Sequence, residues 1–254
     1  MEKISAVIIA LNEEKRIADA IRSLEGLADE IIVVDSFSTD RTPEIAREAG
    51  CRVEQRRFAG FGTQRQYATS LTSYRYVLFL DADEVLSPAL RESLAALKAE
   101  GLGHRVYIFD RLNFFCNTPV RHCGWYPDRH VRLFDKRYAT WNFNDINEQV
   151  IFPEALQPQP VDGEILHYRC STIDEYRNKM TSQARISGRV LAVKGKMINP
   201  LVAFWNSMKA FLGCYIGKGG IMDGSSGRVI SRECYRKTLQ AYKFAREFRK
   251  EAAK

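Results

Sequence analysis

The first hundred residues alternate between short apolar runs and segments in which apolar side chains recur at helical spacing. The apolar runs are ISAVIIAL, EIIVVD and YVLFLD, and the shorter segment CRVEQ is predicted as a further strand. Continuous runs rich in β-branched residues are typical of strands buried on both faces, and helical segments between such strands indicate helices that cover a sheet. This alternation predicts an α/β fold with a Rossmann-like, mostly parallel sheet flanked by helices.

Cap and turn residues mark the ends of the helices between these strands. Ser, Thr and Asn favour the N-cap of a helix, and glycine is favoured just beyond its C-terminus. The predicted N-caps are Asn12, Thr42 and Ser87, and the predicted glycine stops are Gly26, Gly50 and Gly101.

Acidic and amide side chains follow three of the strands at their C-terminal ends. Asn12 and Glu13 follow the first strand, Asp35 closes the second, and Asp81 and Asp83 follow the fourth. Ligands of open parallel sheets bind at the carboxyl ends of the strands. We therefore expect these groups to converge on one crevice.

The sequence DADE at 81–84 is the sharpest motif. Asp81 and Asp83 are two residues apart, directly after a buried strand, and such carboxylates can chelate Mg²⁺ or Mn²⁺ together with diphosphate oxygens. A metal held there would offset the charge of a departing nucleoside diphosphate. The alternative is that both acids only cap the next helix, but Ser87 already fills that role.

Composition bounds the class of partner. The chain has 254 residues, of which 45% are hydrophobic, and a net charge of +7, which favours anionic partners such as phosphorylated small molecules, anionic lipid or nucleic acid. Six cysteines without a C-x-x-C pair indicate free thiols in a reducing compartment. The N-terminal apolar run is too short for a signal peptide, so we expect a cytoplasmic protein.

The motifs ALNEEKRI, EIIVVDSFSTDRT and YVLFLDADE, in this order, resemble the nucleotide-binding half of the inverting family 2 glycosyltransferases, which have an A-type fold. The resemblance implies that Glu13 and Asp35 contact the nucleoside, commonly uridine, and that Asp81 and Asp83 serve ribose and metal. Ala10, where many members carry proline, and Asn12 belong to the same predicted nucleotide-sugar site.

Two further segments carry candidates for this site. In FAGFGTQRQYA, Arg65 can reach a phosphate or ribose, or it is a solvated arginine on a helix face. In CGWYPDRH, Trp125 or Tyr126 beside Asp128 is suited to hold a sugar, or the aromatic side chains belong to the core of a second sheet.

An inverting transfer needs a carboxylate that takes the proton of the acceptor hydroxyl. The stretch NDINEQV offers Glu148 and Asp145, and the resemblance favours Glu148 with Asp145 as the runner-up. His167 is a candidate third metal ligand, with a hydrogen-bonded core histidine as the alternative.

After residue 170 the pattern becomes helical and basic, and we predict a domain at 1–168 and a helical extension at 169–254. The apolar stretch 200–217 is interrupted by polar residues and is a poor transmembrane span. It is either an interfacial helix on an anionic membrane surface or a helix packed on protein.

The segments GWYPDRHVRLF, LHYR and KGGIMDGSSGR resemble small family 2 enzymes of lipopolysaccharide core assembly, which add a β-linked glucose to an inner-core heptose. This resemblance implies UDP-glucose as donor, a lipid-anchored saccharide as acceptor, and a peripheral location on the cytoplasmic face of the inner membrane.

Other classes fit the sequence less well. Another family 2 transferase with a different donor or acceptor remains an alternative. A nucleotidyltransferase usually has a glycine-rich, basic phosphate loop after its first strand, where this chain has LNEEKR. A nucleic-acid-binding protein would not need acids at several strand ends, so we expect no nucleic-acid partner. A dinucleotide-binding dehydrogenase would need G-x-G-x-x-G after the first strand.

Overall fold

The computed structural model describes residues 2–143, 148–194 and 198–252. The chain forms two compact units, one of Met1–Arg111 with Asp128–His167 and one of Leu112–Pro127 with Tyr168–Lys254. The segment Leu112–Pro127, which lies within the predicted domain 1–168, belongs to the second unit. The predicted boundary after residue 168 stays a prediction.

Strands and helices alternate through the first part of the chain as the apolar runs predict. The elements up to residue 170 are β1 (Ile4–Ala10), α1 (Ile17–Leu24), β2 (Glu30–Asp35), α2 (Thr42–Glu48), β3 (Arg52–Gln55), α3 (Phe61–Ser70), β4 (Tyr76–Asp81), β5 (Glu84–Leu86), α4 (Pro88–Glu100), β6 (Val106–Phe115), β7 (Thr118–Val120), β8 (Arg129–Asp135), β9 (Thr140–Trp141), β10 (Val150–Ile151) and β11 (Gln159–Cys170).

The main sheet has the strand order β3-β2-β1-β4-β8-β6-β11-β5, with β7 paired to β6. Strands β3, β2, β1 and β4 are parallel, whereas β8 runs antiparallel to β4 and β6, and β5 antiparallel to β11. The predicted parallel sheet is therefore the N-terminal half of a mixed sheet.

The register of the parallel strands brings their carboxyl ends together. Asp35 at the end of β2 lies opposite Ala10 on β1, and Asp81 at the end of β4 lies opposite Ile9 on the other side of β1. This arrangement follows from the parallel direction of the three strands and places both acids at the same edge of the sheet.

Apolar side chains cover both faces of the sheet. On one face Ile8 packs in a cluster with Ile17 and Ile21 of α1, and on the other Val7 packs in a cluster with Phe79 and Trp141. Because successive residues of a strand point to opposite faces, the unbroken apolar runs are explained by burial on both sides.

Two of the three predicted helix caps are wrong, and one is confirmed. Ser87 caps α4 by accepting a hydrogen bond from the Leu90 amide. The Asn12 side chain instead accepts a hydrogen bond of 2.8 Å from the Thr39 amide, and the Thr42 hydroxyl accepts one of 2.8 Å from the Glu13 amide. The loops that follow the adjacent strands β1 and β2 are close enough for these side chains to link them, so a tertiary partner replaces the local one.

Three helices dominate the second unit, as the helical extension was predicted to do. They are α5 (Ile173–Val193), α6 (Pro200–Leu212) and α7 (Gly224–Ala252), with a π-helical turn at Gly213–Gly217 and a 3₁₀ turn at Gly220–Asp223. Helix α7 packs against both α5 and α6. In the part of the chain that the structure describes, no helix combines the length and apolar character needed to cross a membrane.

Candidate active site

A cavity of about 480 Å³ opens at the carboxyl ends of β1 and β4 in the first unit. Most of the residues predicted from the sequence to form the site line this cavity. They are Ala10, Glu13, Arg65, Asp81, Asp83, Glu148 and His167.

Asp83 and His167 form the most suggestive pair in the cavity. Oδ2 of Asp83 lies 3.3 Å from Nε2 of His167, and the two side chains remain 20% and 14% exposed. His167 reaches this position because it lies opposite Glu84 in the pairing of β11 with β5. A carboxylate oxygen and an imidazole nitrogen, both of which can act as metal ligands, thus lie side by side at the cavity wall.

Asp81, the first acid of the DADE motif, is held by two arginines. Nη2 of Arg65 donates to Oδ1 of Asp81 at 2.7 Å, and Nη2 of Arg132 donates to Oδ2 at 3.0 Å. Burial alone would raise the pKa of Asp81, but the charges of Arg132 and Arg65 outweigh it and hold that pKa well below its usual range. Asp81 is a fixed negative charge in the cavity wall.

A buried network lies behind Asp81, and the sequence motifs do not predict it. Glu84 is fully buried and accepts hydrogen bonds from Nη2 of Arg132 at 2.7 Å, Nη1 of Arg111 at 3.0 Å and the Asp81 amide at 3.0 Å. Burial would lower the pKa of Arg132, but Asp81 and Glu84 raise it above its ordinary value. The signal in the sequence was a charged residue inside the otherwise apolar run VRLF.

Glu148, the favoured base, lies in the cavity beside Arg65. Its Oε1 is 3.4 Å from Nη2 of Arg65, and its side chain is partly exposed. Arg65 also stacks on the ring of Trp141, with 4.7 Å between its guanidinium carbon and the ring centroid. The alternative that Arg65 is solvated is wrong, because its side chain is 5% exposed. Asp145, the runner-up base, lies outside the described residues.

Asp35 and Asn12 are not among the residues that line the cavity. The Asp35 carboxylate is buried and accepts hydrogen bonds from Ser38 and, at 3.2 Å, from Nε2 of Gln55. Asn12 binds the Thr39 amide. Both residues shape the loops that carry Glu13 and Ser36 to the cavity. Direct contact of Asp35 with a nucleoside stays a prediction.

The sugar-binding candidates of the middle segment have other partners. Asp128 accepts a hydrogen bond of 2.7 Å from Nη2 of Arg111 and lies 2.8 Å from Nε2 of His130. Trp125 packs in the second unit against Phe115 and Tyr176, with ring centroids 6.4 and 5.9 Å away. Neither residue is among those that line the cavity, and their contact with a sugar stays a prediction.

Two aromatic side chains at the cavity were not recognised from the sequence. Phe58 and Phe61 both line it, about half exposed, with an edge-to-face contact of 4.9 Å between their ring centroids. Exposed aromatic rings in a cavity wall offer a surface on which a planar base or a sugar face can pack. The available signal was the repeat of phenylalanine around a glycine in FAGFG.

Asp81 and Asp83 both line the cavity, and Asp83 is the one of the two that lies beside His167. Residues 5–152, more than half of the chain, match the family model of glycosyl transferase family 2. The chain belongs to this family. The mixed sheet flanked by helices agrees with the A-type glycosyltransferase fold that the resemblance implied. As a family 2 glycosyltransferase, the chain is neither a nucleotidyltransferase nor a dehydrogenase.

Similar proteins extend beyond the matched domain. The chain is 31% identical over 236 residues to the lipopolysaccharide core biosynthesis glycosyltransferase LpsC of Rhizobium meliloti, which covers 89% of this chain and 85% of LpsC. It is 30% identical over 225 residues to an uncharacterized glycosyltransferase of Rickettsia typhi, covering 83% of this chain and 77% of the relative.

A solved structure is also similar to part of the chain. It is glucosyl-3-phosphoglycerate synthase from Mycobacterium tuberculosis in complex with Mn²⁺, UDP and glucosyl-3-phosphoglycerate, 32% identical over 44% of each chain with a TM-score of 0.36.

Proposed function

We propose that this family 2 glycosyltransferase moves glucose from UDP-glucose to a heptose hydroxyl of the lipopolysaccharide inner core, with inversion at the anomeric carbon. The observation that carries the proposal is the presence of Asp81, Asp83, His167 and Glu148 in one cavity at the carboxyl ends of parallel strands. The similarity to LpsC along most of both chains supports a core saccharide as the acceptor.

The donor set at Asp83 and His167 fits a divalent cation. Carboxylate oxygen and neutral imidazole nitrogen are ligands that Mn²⁺ accepts, and Mg²⁺ or Mn²⁺ at phosphate sites commonly uses few protein ligands together with phosphate oxygens and water. Among the described residues no group of three acidic, histidine or cysteine side chains could form a complete protein site. When bound with the donor, the cation would offset the negative charge of the departing diphosphate.

Glu148 takes the proton of the acceptor hydroxyl in this proposal. The hydroxyl oxygen forms the new bond to the anomeric carbon from the face opposite the leaving diphosphate, and the proton moves to the Glu148 carboxylate. Arg65 contacts Glu148 and Asp81 at once, so one buried guanidinium orients the base relative to the acidic wall. Asp145 remains the alternative base.

The remaining residues of the proposed site position the donor. Glu13 and Ala10 lie in the cavity wall, where Glu13 can accept a hydrogen bond from a ribose hydroxyl. Asp35 and Asn12 hold the loops behind them. We assign the uridine ring to the neighbourhood of Phe58 and Phe61, since their rings are exposed in the same cavity. The acceptor would reside in the inner membrane, with the enzyme peripheral on its cytoplasmic face.

The experiment that tests the function uses the purified chain, Mn²⁺ and a panel of UDP-, GDP- and CDP-linked sugars. We expect release of UDP from UDP-glucose, faster with a heptose-containing core oligosaccharide and suppressed by EDTA. The product should carry a β-linked glucose by NMR. A preference for a guanosine or cytidine donor, or an α-linked product, would contradict the proposal.

A further inference from the structure

Large apolar side chains are exposed along α6 and the two turns that follow it. Their exposed fractions range from 43% to 72%, and together we call them the apolar patch. The patch consists of Leu201, Phe204, Trp205, Leu212, Ile216, Ile221 and Met222. Within α6 the patch residues recur at helical spacing, so they form a stripe along one side of the helix.

The opposite side of α6 is the one that packs on the protein. Ala203 and Ser207 are buried, and Nδ2 of Asn206 donates a hydrogen bond of 2.7 Å to the Tyr242 hydroxyl of α7. A surface helix normally buries its large apolar side chains and exposes its polar ones. Helix α6 instead buries the small residues Ala203 and Ser207 and leaves large apolar side chains exposed, so its apolar stripe does not serve the packing of the second unit.

The patch includes a groove of about 440 Å³. Trp205, Leu212 and Ile216 are among its lining residues, together with the lysine Lys209. Soluble proteins seldom leave a continuous apolar surface of this kind uncovered, and such surfaces mark sites of contact with protein or membrane.

Charge identifies which of these two partners suits the patch. Residues 169–254 contain 18 Lys and Arg but only 6 Asp and Glu, whereas residues 1–168 contain 20 and 25. Between residues 198 and 232 the only acid in the sequence is Asp223, against four basic residues that include Lys209 and Lys218. Asp223 itself lies 2.9 Å from Nδ1 of His122. The apolar patch is therefore set in a strongly basic part of the chain.

We propose that the apolar patch docks this protein on an anionic lipid surface. Trp205, Leu212 and Ile216 would enter the boundary between head groups and acyl chains, while Lys209 and Lys218 pair with lipid phosphates. A second copy of the chain is a poor occupant, because it would bring two basic surfaces together. This docking on lipid specifies the membrane partner that the proposed function assumes, and in that respect it rests on the proposed function. Its physical basis is the patch and its charge alone.

The test is co-sedimentation of the full chain with large vesicles of phosphatidylcholine containing about one third phosphatidylglycerol, compared with vesicles of phosphatidylcholine only. We expect binding to the anionic vesicles that weakens as salt is raised, and at least about tenfold weaker binding to the neutral ones. No donor or acceptor is present, so a failure here would leave the transferase proposal standing.

Matched variants separate the patch from the rest of the surface. The double variant Trp205→Gln, Ile216→Gln should bind at least about tenfold more weakly, since each exposed apolar side chain buried in lipid adds to the affinity. Lys209→Glu should weaken binding to the anionic vesicles alone. Ile151→Gln, at an exposed apolar position of the first unit, is the control and should bind like the wild type.

Tryptophan fluorescence gives a second readout. Trp141 is buried and Trp125 is packed among aromatic rings, so a blue shift on addition of anionic vesicles should come from the exposed Trp205 and be absent in Trp205→Phe. Equal binding of the double variant and the wild type would overturn the proposal. So would sedimentation velocity showing a wild-type dimer that the double variant converts to a monomer, because the patch would then be covered by a second copy.

Discussion

Nη2 of Arg65 lies 2.7 Å from Oδ1 of Asp81, and both side chains are largely withdrawn from solvent. Together with Arg132 on the other oxygen, this contact holds the pKa of Asp81 below its ordinary value of 3.8 even though burial opposes it. Asp81 is therefore ionised at neutral pH. Its charge pairs with both arginines.

The variant Asp81→Asn should be destabilised by about 3 kcal/mol at neutral pH, because it removes one charged partner from each of two buried arginines. A carboxyl whose pKa is lowered by folding contributes stability above its unfolded pKa and loses it as the pH falls through the folded value. The stability gap between wild type and variant should thus be constant from about pH 8 to pH 5 and shrink below about pH 4. Urea unfolding at several pH values measures it.

The matched control is Asp19→Asn. Asp19 pairs with Arg22 at 2.8 Å on the surface, where both side chains are more than half exposed. Such a pair contributes less than about 1 kcal/mol. If Asp81→Asn lost as little unfolding free energy as Asp19→Asn, the stabilising role of the contacts of Asp81 with Arg65 and Arg132 would be contradicted. A difference in stability between wild type and Asp81→Asn that grows in acid would contradict it as well.

The sequence predicts the acids at the strand ends of the site, but not the network of Arg132 and Glu84 behind them. Asp35, Asp81 and Asp83 could be placed at one edge because apolar runs and the acids that close them are local signals. Arg132 meets Asp81 and Glu84 only because β8 pairs antiparallel with β4, a contact between segments about fifty residues apart. No local pattern specifies that pairing.

Contacts between distant segments also explain why two helix caps were predicted wrongly and why the orientation of α6 could not be predicted. Asn12 and Thr42 are good caps by residue type, yet the neighbouring loops supplied better partners. In α6 the sequence left open whether the apolar stripe faces protein. The structure shows it exposed because the small residues Ala203 and Ser207 permit the opposite side to pack. The packing of one helix on another depends on the surfaces of both helices, and the sequence of one segment describes only the surface of that segment.

The variants Asp83→Asn and His167→Gln should each raise the Mn²⁺ concentration needed for half-maximal UDP release by at least about tenfold, since each removes one proposed donor atom. Mn²⁺ titration of UDP-glucose turnover, with calorimetry of Mn²⁺ binding in the presence of UDP, measures the effect. His104→Gln serves as the histidine control, because His104 lies outside the cavity. Unchanged Mn²⁺ dependence in both site variants would exclude this pair as ligands.

The variant Glu148→Gln should lose about a hundredfold or more in kcat while keeping its affinity for UDP-glucose, because the amide cannot accept the proton of the acceptor hydroxyl. Single-turnover transfer and equilibrium donor binding separate the two effects. Glu154→Gln, at an exposed acid of the same region, should behave like the wild type. A wild-type kcat in Glu148→Gln would exclude Glu148 as the base and favour Asp145. The variant Asp145→Asn would then test Asp145.

The position of His167 depends on how β11 sits on α4, and Gly163 tests that dependence. A methyl group at Gly163 would lie 2.3 Å from the Leu90 amide nitrogen. The φ angle of Gly163, +100°, is also unfavourable for any residue with an L side chain. Next to it, the Glu164 amide and carbonyl bond to Ser87 at 3.1 and 3.0 Å. Gly163→Ala must therefore push the strand away from the helix.

We expect Gly163→Ala to lose more than about 2 kcal/mol of unfolding free energy. Because His167 is four residues further along the same strand, the folded variant should also bind Mn²⁺ more weakly in the presence of UDP. The control is Gly103→Ala, where a methyl group meets nothing within 4 Å and φ is not in the left-handed region. If Gly163→Ala lost stability but bound Mn²⁺ as the wild type does, the strand position and the His167 side chain would be uncoupled.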